Sequence, residues 1–439
     1  MKLNRANYLA KTGQELKVAP ERIVHIGIGA FAKAHQIWYT QQVDLANEWG
    51  VVAFTGRSAT AADQLREQDG LYTLIERGAE GDNFEIIDRI VRAEDGMNVT
   101  EFTNTLAKAE ISIVTLTITE AGYGFTKDGK LDLDNPAPAI NRLAFALDMR
   151  RRLSGAPIAL VSCDNIPNNG ALLETAVRNV FSTFDAEAIE WLEKNVSFVS
   201  TSIDRITPQT TAVDIEEVES KTSWQDNSVT VTEPFRDWIL CGEFPAGRPA
   251  WENAGAKFVT EIEPFEKRKL WLLNGSHSIL AYTGIARGHS TVAEAIADDY
   301  CLNLVNTFWN DAIKHLPAAD LALDDYRSAL LARFSNPRIA HQLRQIAIDG
   351  ATKLAVRIAP IATAELAAGR DAAVEAQAIG AWINFIRAGE FKDSQAEAIR
   401  LALTAESDSA LIALLDPMLS KNANFVNLVN QSTQITERS

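Results

Sequence analysis

RIVHIGIG, residues 22–29, is a β-branched run that stops at a glycine pair; a helix-period stretch follows from Phe31 into the forties, then VVAFTG at 51–56 and a charged helical run through Leu65. An apolar period that switches from strand to helix and back is the signature of a β-α-β unit. Further β-branched runs stand at 85–91 (EIIDRIV), 111–118 (ISIVTLTI), 157–162 (PIALVS) and 196–203 (VSFVSTSI), with helix-period segments around 98–109, 137–153 and 169–182. Strands alternating with helices predict an α/β fold with a Rossmann-like, doubly wound, mostly parallel sheet. SVTVT (228–232) and DWILC (237–241), either side of a Pro-Phe-Arg turn, read as a hairpin at the rim.

After about residue 260 the texture changes to Ala-, Leu- and Ile-rich helical patterns at 266–286, 291–314, 336–349 and 393–403, and the Ala-rich stretch 361–379 reads as solvent-facing helix. Two domains are expected: a dinucleotide-binding domain over 1–240 and a mostly α-helical substrate and catalytic domain over 241–439.

The 439 residues are 46% hydrophobic and 23% charged, which is globular composition. Acidic residues number 58 against 42 basic, a net charge of -16 without a Lys/Arg block, so nucleic acid is not an expected partner. No apolar run approaches the roughly 20 residues of a membrane span, and the N-terminus lacks the apolar core of a secretory signal. The three cysteines, Cys163, Cys241 and Cys301, are too far apart for a CxxC site and read as small buried hydrophobes. A cytoplasmic protein is expected.

Gly27 and Gly29, followed by Phe31, sit where a strand turns into a helix, which lets backbone N–H groups approach a pyrophosphate. The third glycine of GxGxxG is absent, since position 32 is Ala. The acid that would hold the ribose at the end of the second strand is also missing, and Thr55-Gly56-Arg57-Ser58 stands there instead. Arg57 reads two ways, as a 2′-phosphate ligand that points toward NADP or as a surface loop residue; Asp63 is near enough in sequence to reach a ribose.

The most informative stretch runs from Glu266 to His277. At 100° per residue from Lys269, Glu266, His277 and Asn274 fall at roughly 60°, 80° and 140°, on one helix face. A face carrying an amine, an amide and an imidazole suits proton abstraction from an alcohol. Lys269 would be the general base, its pKa pushed down by burial from about 10.4. His277 would orient the lysine or the substrate hydroxyl, Asn274 would donate to the developing alkoxide, and Glu266 would relay the proton. The competing reading is a solvated face with an incidental Lys-Glu pair. A second polar cluster, SCDNIPNNG at 162–170, follows a strand at the end where such folds bind ligands. Asn165 reads as a second oxyanion donor, while Asp164, Asn168 and Asn169 read as helix caps. His25 reads as a core histidine, and His315 and His341 have no neighbours at ligand spacing. No cluster predicts a metal.

These residues resemble the polyol-specific long-chain dehydrogenase/reductase (mannitol dehydrogenase) family, which includes mannitol 2-dehydrogenase, arabinitol 4-dehydrogenase and the fructuronate and tagaturonate reductases. The similarity extends from HIGIGAFAKAHQ (25–36) through QDGLYTL (68–74), TLTITEAGYGF (115–125), SCDNIPNNG, DRITP (204–208) and FPAGRPAWENAGAKFV (244–259) to KLWLLNGSHSILAY (269–282). The resemblance implies a zinc-independent secondary-alcohol dehydrogenase that uses NAD, with NADP as a second cofactor. Its active site would lie between a Rossmann-like and a helical domain. By the same resemblance Lys269 is the base, Asn165 and Asn274 are the oxyanion amides, His277 stands near the substrate oxygen, Glu266 is the relay and Asp204 is a substrate-pocket acid; Gly27, Gly29 and Phe31 form the cofactor turn. Lys33 stands where the family often has Arg, and Ala121 where it has Lys. The expected substrate pair is D-mannitol and D-fructose. The alternative, fructuronate or tagaturonate reduction, calls for a cation against the carboxylate, and Arg344 and Lys353 are candidates. A nucleotide-binding sensor without turnover is the reading outside enzymology.

Overall fold

The computed structural model describes residues 1–126, 129–389, 391–405 and 407–436. The chain divides into two compact units, Met1–Ile262 and Glu263–Ser439.

The first unit holds eleven strands: β1 (Glu21–Ile26), β2 (Gly50–Phe54), β3 (Tyr72–Gly78), β4 (Gly81–Ile87), β5 (Ile90–Glu94), β6 (Ile113–Leu116), β7 (Ile158–Ser162), β8 (Val196–Asp204), β9 (Thr230–Thr232), β10 (Asp237–Cys241) and β11 (Lys257–Phe258). Eight of them form one sheet in the order β11-β10-β8-β7-β6-β1-β2-β5. Every pair in it is parallel except β8 with β10. β2, β6 and β7 are buried at every position, as expected of strands covered on both faces. Alternate residues feed two apolar cores. Ile23, Ala53 and Val161 join Ile37, Trp38 and Trp238 on one side, while Val24, Val52 and Leu160 join Leu143, Leu147 and Leu173 on the other. The strand order reverses beside β1, so its carboxyl end is the switch point at which such sheets bind ligands.

The Rossmann-like expectation therefore holds, with local corrections. EIIDRIV is not one strand. Its first part ends β4 in a three-stranded sheet (β4-β3-β9), and its last part begins β5 in the large one. Between them Arg89 is buried on the carboxylates of Asp88 and Asp44, each at 2.7 Å, and this charge knot turns the chain from one sheet to the other. SVTVT and DWILC do not form a hairpin either. β9 pairs with β3 and β10 with β8, because the intervening Glu233 is tied elsewhere: it accepts from Ile206 N at 2.6 Å and its carbonyl accepts from Arg205 Nε at 3.0 Å.

The described residues of the second unit are helical and contain no strand. Only Leu343–Ile346 of the expected helix 336–349 is helical, since the chain before it forms a bridge between Gln342 and Thr291. The Ala-rich stretch is two helices, Ala359–Ala367 and Ala373–Arg387, and the second is core, not solvent-facing. Its small residues permit close packing: a Cβ on Gly380 would lie 2.8 Å from the Ser432 side chain on the helix Ala423–Thr436.

Glu375, fully buried in that helix, has no hydrogen-bond partner for either carboxyl oxygen. Burial, reinforced by Asp311 and Glu365, raises its pKa to about 8. Between about pH 4.5 and 8 the unfolded chain has released a proton that the folded chain retains, so this group costs stability as pH rises. Glu375→Gln should therefore raise Tm over wild type by a margin that widens from about pH 5 to 8. Melting curves across that range test it, and a pH-independent margin refutes it.

Candidate active site

In the first unit, β1 ends at Gly27, whose φ is +94° and where a Cβ would lie 2.2 Å from the Thr117 carbonyl oxygen. No other residue fits. Gly29 is different: its φ is -149° and the nearest atom to a built Cβ is 3.9 Å away. This open space lies at the N-terminus of a continuous helical run, Ala30–Ala32, Lys33–Ile37 and Trp38–Val43, whose unpaired N–H groups favour an anion. The turn thus fits a dinucleotide pyrophosphate. Phe31 is half-buried and stacks on His35 with ring centroids 5.0 Å apart. The middle segment, Lys33–Ile37, is a π-helix. Lys33 donates from it to the carbonyl of Ser228 at 2.8 Å, and burial brings its pKa down to about 8.

At the end of β2, Arg57 is exposed and makes no hydrogen bond or ion pair with the described residues, whereas Asp63 pairs with Arg66 at 2.9 Å. His25 is the core histidine that was expected. It is fully buried between the hydroxyls of Thr115 and Thr117, with its pKa lowered to about 4 by burial.

The loop after β7 is more rigid than a run of helix caps. Asn168 stands at the N-cap with φ +51° but makes no side-chain cap bond, which corrects the capping reading. Asn169 is a staple instead: its amide donates to the carbonyls of Asp164 and Thr201 at 2.8 Å each and accepts from Thr201 N at 2.8 Å. Asp164 accepts from Thr119 N at 2.7 Å and from the Tyr123 hydroxyl at 3.0 Å. Thr119 has φ +60°, a strained conformation for a β-branched residue. Asn165 is exposed on this braced loop. Asp204 ends β8, and register sets Asp237 of β10 directly opposite it, a second carboxylate that no local motif marks. Cys163 is buried with its pKa raised by burial, so its thiol is unreactive.

In the second unit, the predicted helix 266–286 contains a π segment, Lys269–Gly275, between the α-helices Glu263–Arg268 and Ser276–Ala286. The 100° rule does not hold across it. In a π-helix the hydrogen bonds run five residues apart, so Asn274 stands one turn above Lys269. Lys269 is buried at 9% exposure, and Glu266, in the turn before it, and Asn274 are half-buried. His277 is 7% exposed, and its Nδ1 has no hydrogen-bond partner. Its ring lies edge-on to Phe334 (5.1 Å) and His341 (4.9 Å). Burial, and after it the charges of His341, Arg333, Arg357 and Lys353, hold its pKa well below the usual histidine range, so it is neutral near pH 7. The tertiary fold thus brings His341 to the site, although its sequence neighbours gave no reason to select it. Lys353 is in the group of charges; Arg344 is not, and lines an exposed cleft with Phe385, Phe391 and Lys392.

Residues 21–253 match the mannitol dehydrogenase Rossmann domain and residues 261–436 the mannitol dehydrogenase C-terminal domain. The chain belongs to the mannitol dehydrogenase family. It is 35% identical over 361 residues to the D-mannonate oxidoreductase of Escherichia coli K12, covering 77% of this chain and 74% of that one. A substrate-free D-sorbitol dehydrogenase superposes with a TM-score of 0.87 at 26% identity, over 96% of this chain and 93% of the other. Pseudomonas fluorescens mannitol 2-dehydrogenase, in a ternary complex with NAD and D-mannitol, gives 0.78 at 29% identity, over 100% and 97%. This mannitol dehydrogenase family member is therefore an oxidoreductase. Among its described residues no three His, Cys, Asp or Glu side chains are grouped to hold a metal, and no helix is long and apolar enough to cross a membrane.

The two glycines of the turn make separable predictions. Gly27→Ala forces a side chain into positive φ and against Thr117, and should cost about 1–3 kcal/mol of stability or more. Gly29→Ala should leave Tm nearly unchanged but weaken dinucleotide binding about tenfold or more, since its Cβ occupies the space a pyrophosphate needs. Calorimetric melting and titration distinguish them, and identical behaviour of the two variants would refute the assignment.

Proposed function

We propose that this protein is an NAD(P)-dependent, zinc-independent secondary-alcohol dehydrogenase that interconverts a sugar acid and its keto form, with Lys269 as general base. The observation that carries the reaction is the π turn, which sets the buried Lys269 and the Asn274 amide one turn apart on the helical run that also carries the neutral His277.

In oxidation the Lys269 amine takes the proton of the substrate hydroxyl while the C–H electron pair leaves with its hydrogen. A nicotinamide cofactor, when bound, would supply the hydride acceptor. The products are a ketone, the reduced cofactor and a protonated lysine that passes its proton on, with Glu266 as the nearest relay in sequence. Asn274 donates a hydrogen bond to the oxygen as charge builds on it. His277, uncharged, donates or accepts one hydrogen bond without adding positive charge beside the base.

Two substrate readings compete, mannitol with fructose and mannonate with fructuronate. The charge around His277 favours the second. His341, Arg333, Arg357 and Lys353 all act on it, and a substrate carboxylate suits such a field better than a hydroxymethyl group does. For the cofactor, the unpartnered Arg57 suits a 2′-phosphate, so NADP should be accepted beside NAD.

Lys269→Ala should lower kcat by about 10²–10⁴-fold and leave dinucleotide affinity within a factor of two or so. Near-normal turnover in this variant excludes lysine as the base. With purified enzyme, kcat/KM for mannonate and fructuronate should exceed that for mannitol and fructose by tenfold or so; a preference for mannitol reverses the substrate reading. Arg57→Ala should weaken NADP binding by about 1.5–3 kcal/mol and leave NAD unaffected, and equal losses would remove Arg57 from the phosphate site.

A further inference from the structure

A π turn widens the helix and takes backbone carbonyls out of the α pattern, so it persists only where those carbonyls find other donors. In the segment Lys269–Gly275 two carbonyls do so. Leu272 O accepts from Trp309 Nε1 at 2.9 Å and from the Ser276 hydroxyl. Asn274 O accepts from the Ser278 hydroxyl at 3.3 Å and from Arg357 Nη1 at 3.2 Å. The same Nη1 lies 3.2 Å from Ser278 Oγ, so the three groups close a triangle over the end of the π turn. Gly275, the next residue, has no room for a side chain, as its Cβ would lie 2.6 Å from the Phe308 ring and 3.7 Å from the Arg357 carbonyl oxygen.

Arg357 is the last residue of the helix Gly350–Arg357. No carboxylate among the described residues lies within ion-pair distance of it, and its Nε has no hydrogen-bond partner. Burying a guanidinium without a counter-ion is costly, and a packing role alone is met by a leucine or methionine at no such cost.

We propose that Arg357 is a positioning residue for the reaction: by holding the carbonyl of Asn274 it fixes the π register that sets the Asn274 amide one turn from Lys269. This rests on the roles given to Lys269 and Asn274 above. Arg357 acts through the backbone of Asn274, and its positive charge is a secondary contribution to the field that keeps His277 neutral.

The test is a double-mutant cycle read by steady-state kinetics and by the primary deuterium isotope effect on hydride transfer. Arg357→Met should lower kcat at least about tenfold with KM changed less than about threefold, and should raise the isotope effect, because misplacing an oxyanion donor slows the chemical step. Arg357→Lys, which keeps a donor, should recover most of the loss. In an Asn274→Ala background Arg357→Met should have almost no further effect. Additive losses, a fall confined to KM, or an unchanged isotope effect overturn the proposal. Should Arg357→Met not fold, Ser278→Ala carries the test: it should raise the isotope effect moderately, and a wild-type value overturns the proposal. Turnover retained by Lys269→Ala would instead overturn the underlying reaction; an inactive Lys269→Ala with additive Arg357 and Asn274 effects overturns only the role of Arg357.

Discussion

The carbonyl oxygen of Thr117 occupies the space where a side chain on Gly27 would begin. That approach ties the end of β1 to the segment after β6, and the Thr117 hydroxyl closes it by donating to the carbonyl of Gly27 at 2.9 Å and facing His25 Nε2 at 3.1 Å. Because β1 must stop here and turn at positive φ, the next residues leave the sheet with Gly29 extended and the helix opening directly above the strand end. The strand order reverses at the same place, so one steric restriction positions the anion-binding helix terminus, the switch point and the two apolar cores that flank β1.

Each unit also carries a π segment among its described residues, and the two share a chemical solution. The π segment Lys33–Ile37 follows the glycine turn, and Lys269–Gly275 carries the proposed base. In the first, Arg205, buried and stacked over Trp38, donates to the carbonyl of Ala34; in the second, Arg357 donates to that of Asn274. A guanidinium suits this role because it presents several donors in a rigid plane and stays charged when buried. Both segments also begin with a partly or fully buried lysine, the first held by Ser228 and the second placed one turn from an amide. π turns recur at functional sites because they alter side-chain spacing locally while the helix on either side continues.

Electrostatics around His277 follow from the same packing. The ring is buried against Phe334 and His341, and the charges of His341, Arg333, Arg357 and Lys353 act on it, so protonation is opposed by desolvation first and by charge second. In the proposed reaction a neutral His277 leaves Lys269 as the group that changes protonation, which separates the roles of the two residues.

The β-α-β start, the strands β6, β7 and β8 and the change to helices in the second half were legible because apolar period and β-branching are local properties. Gly27, Lys269, Asn274 and His277 stand out in the sequence for a local reason too, since they lie in short motifs whose residue types are poorly suited to ordinary packing. The sequence by itself determined the alternation of strands and helices in the first unit and the helical character of the second. Only tertiary structure decided where β9 and β10 pair, because strand partners are chosen by register across more than a hundred residues, as between β3 and β9. Likewise EIIDRIV is continuous in sequence and is divided only by the buried Arg89 pair. The spacing of Lys269 and Asn274 belongs to the same class. Local periodicity reports an α-helix there, whereas the structure has a π turn, two of whose carbonyls accept from Trp309 and Arg357, distant in sequence.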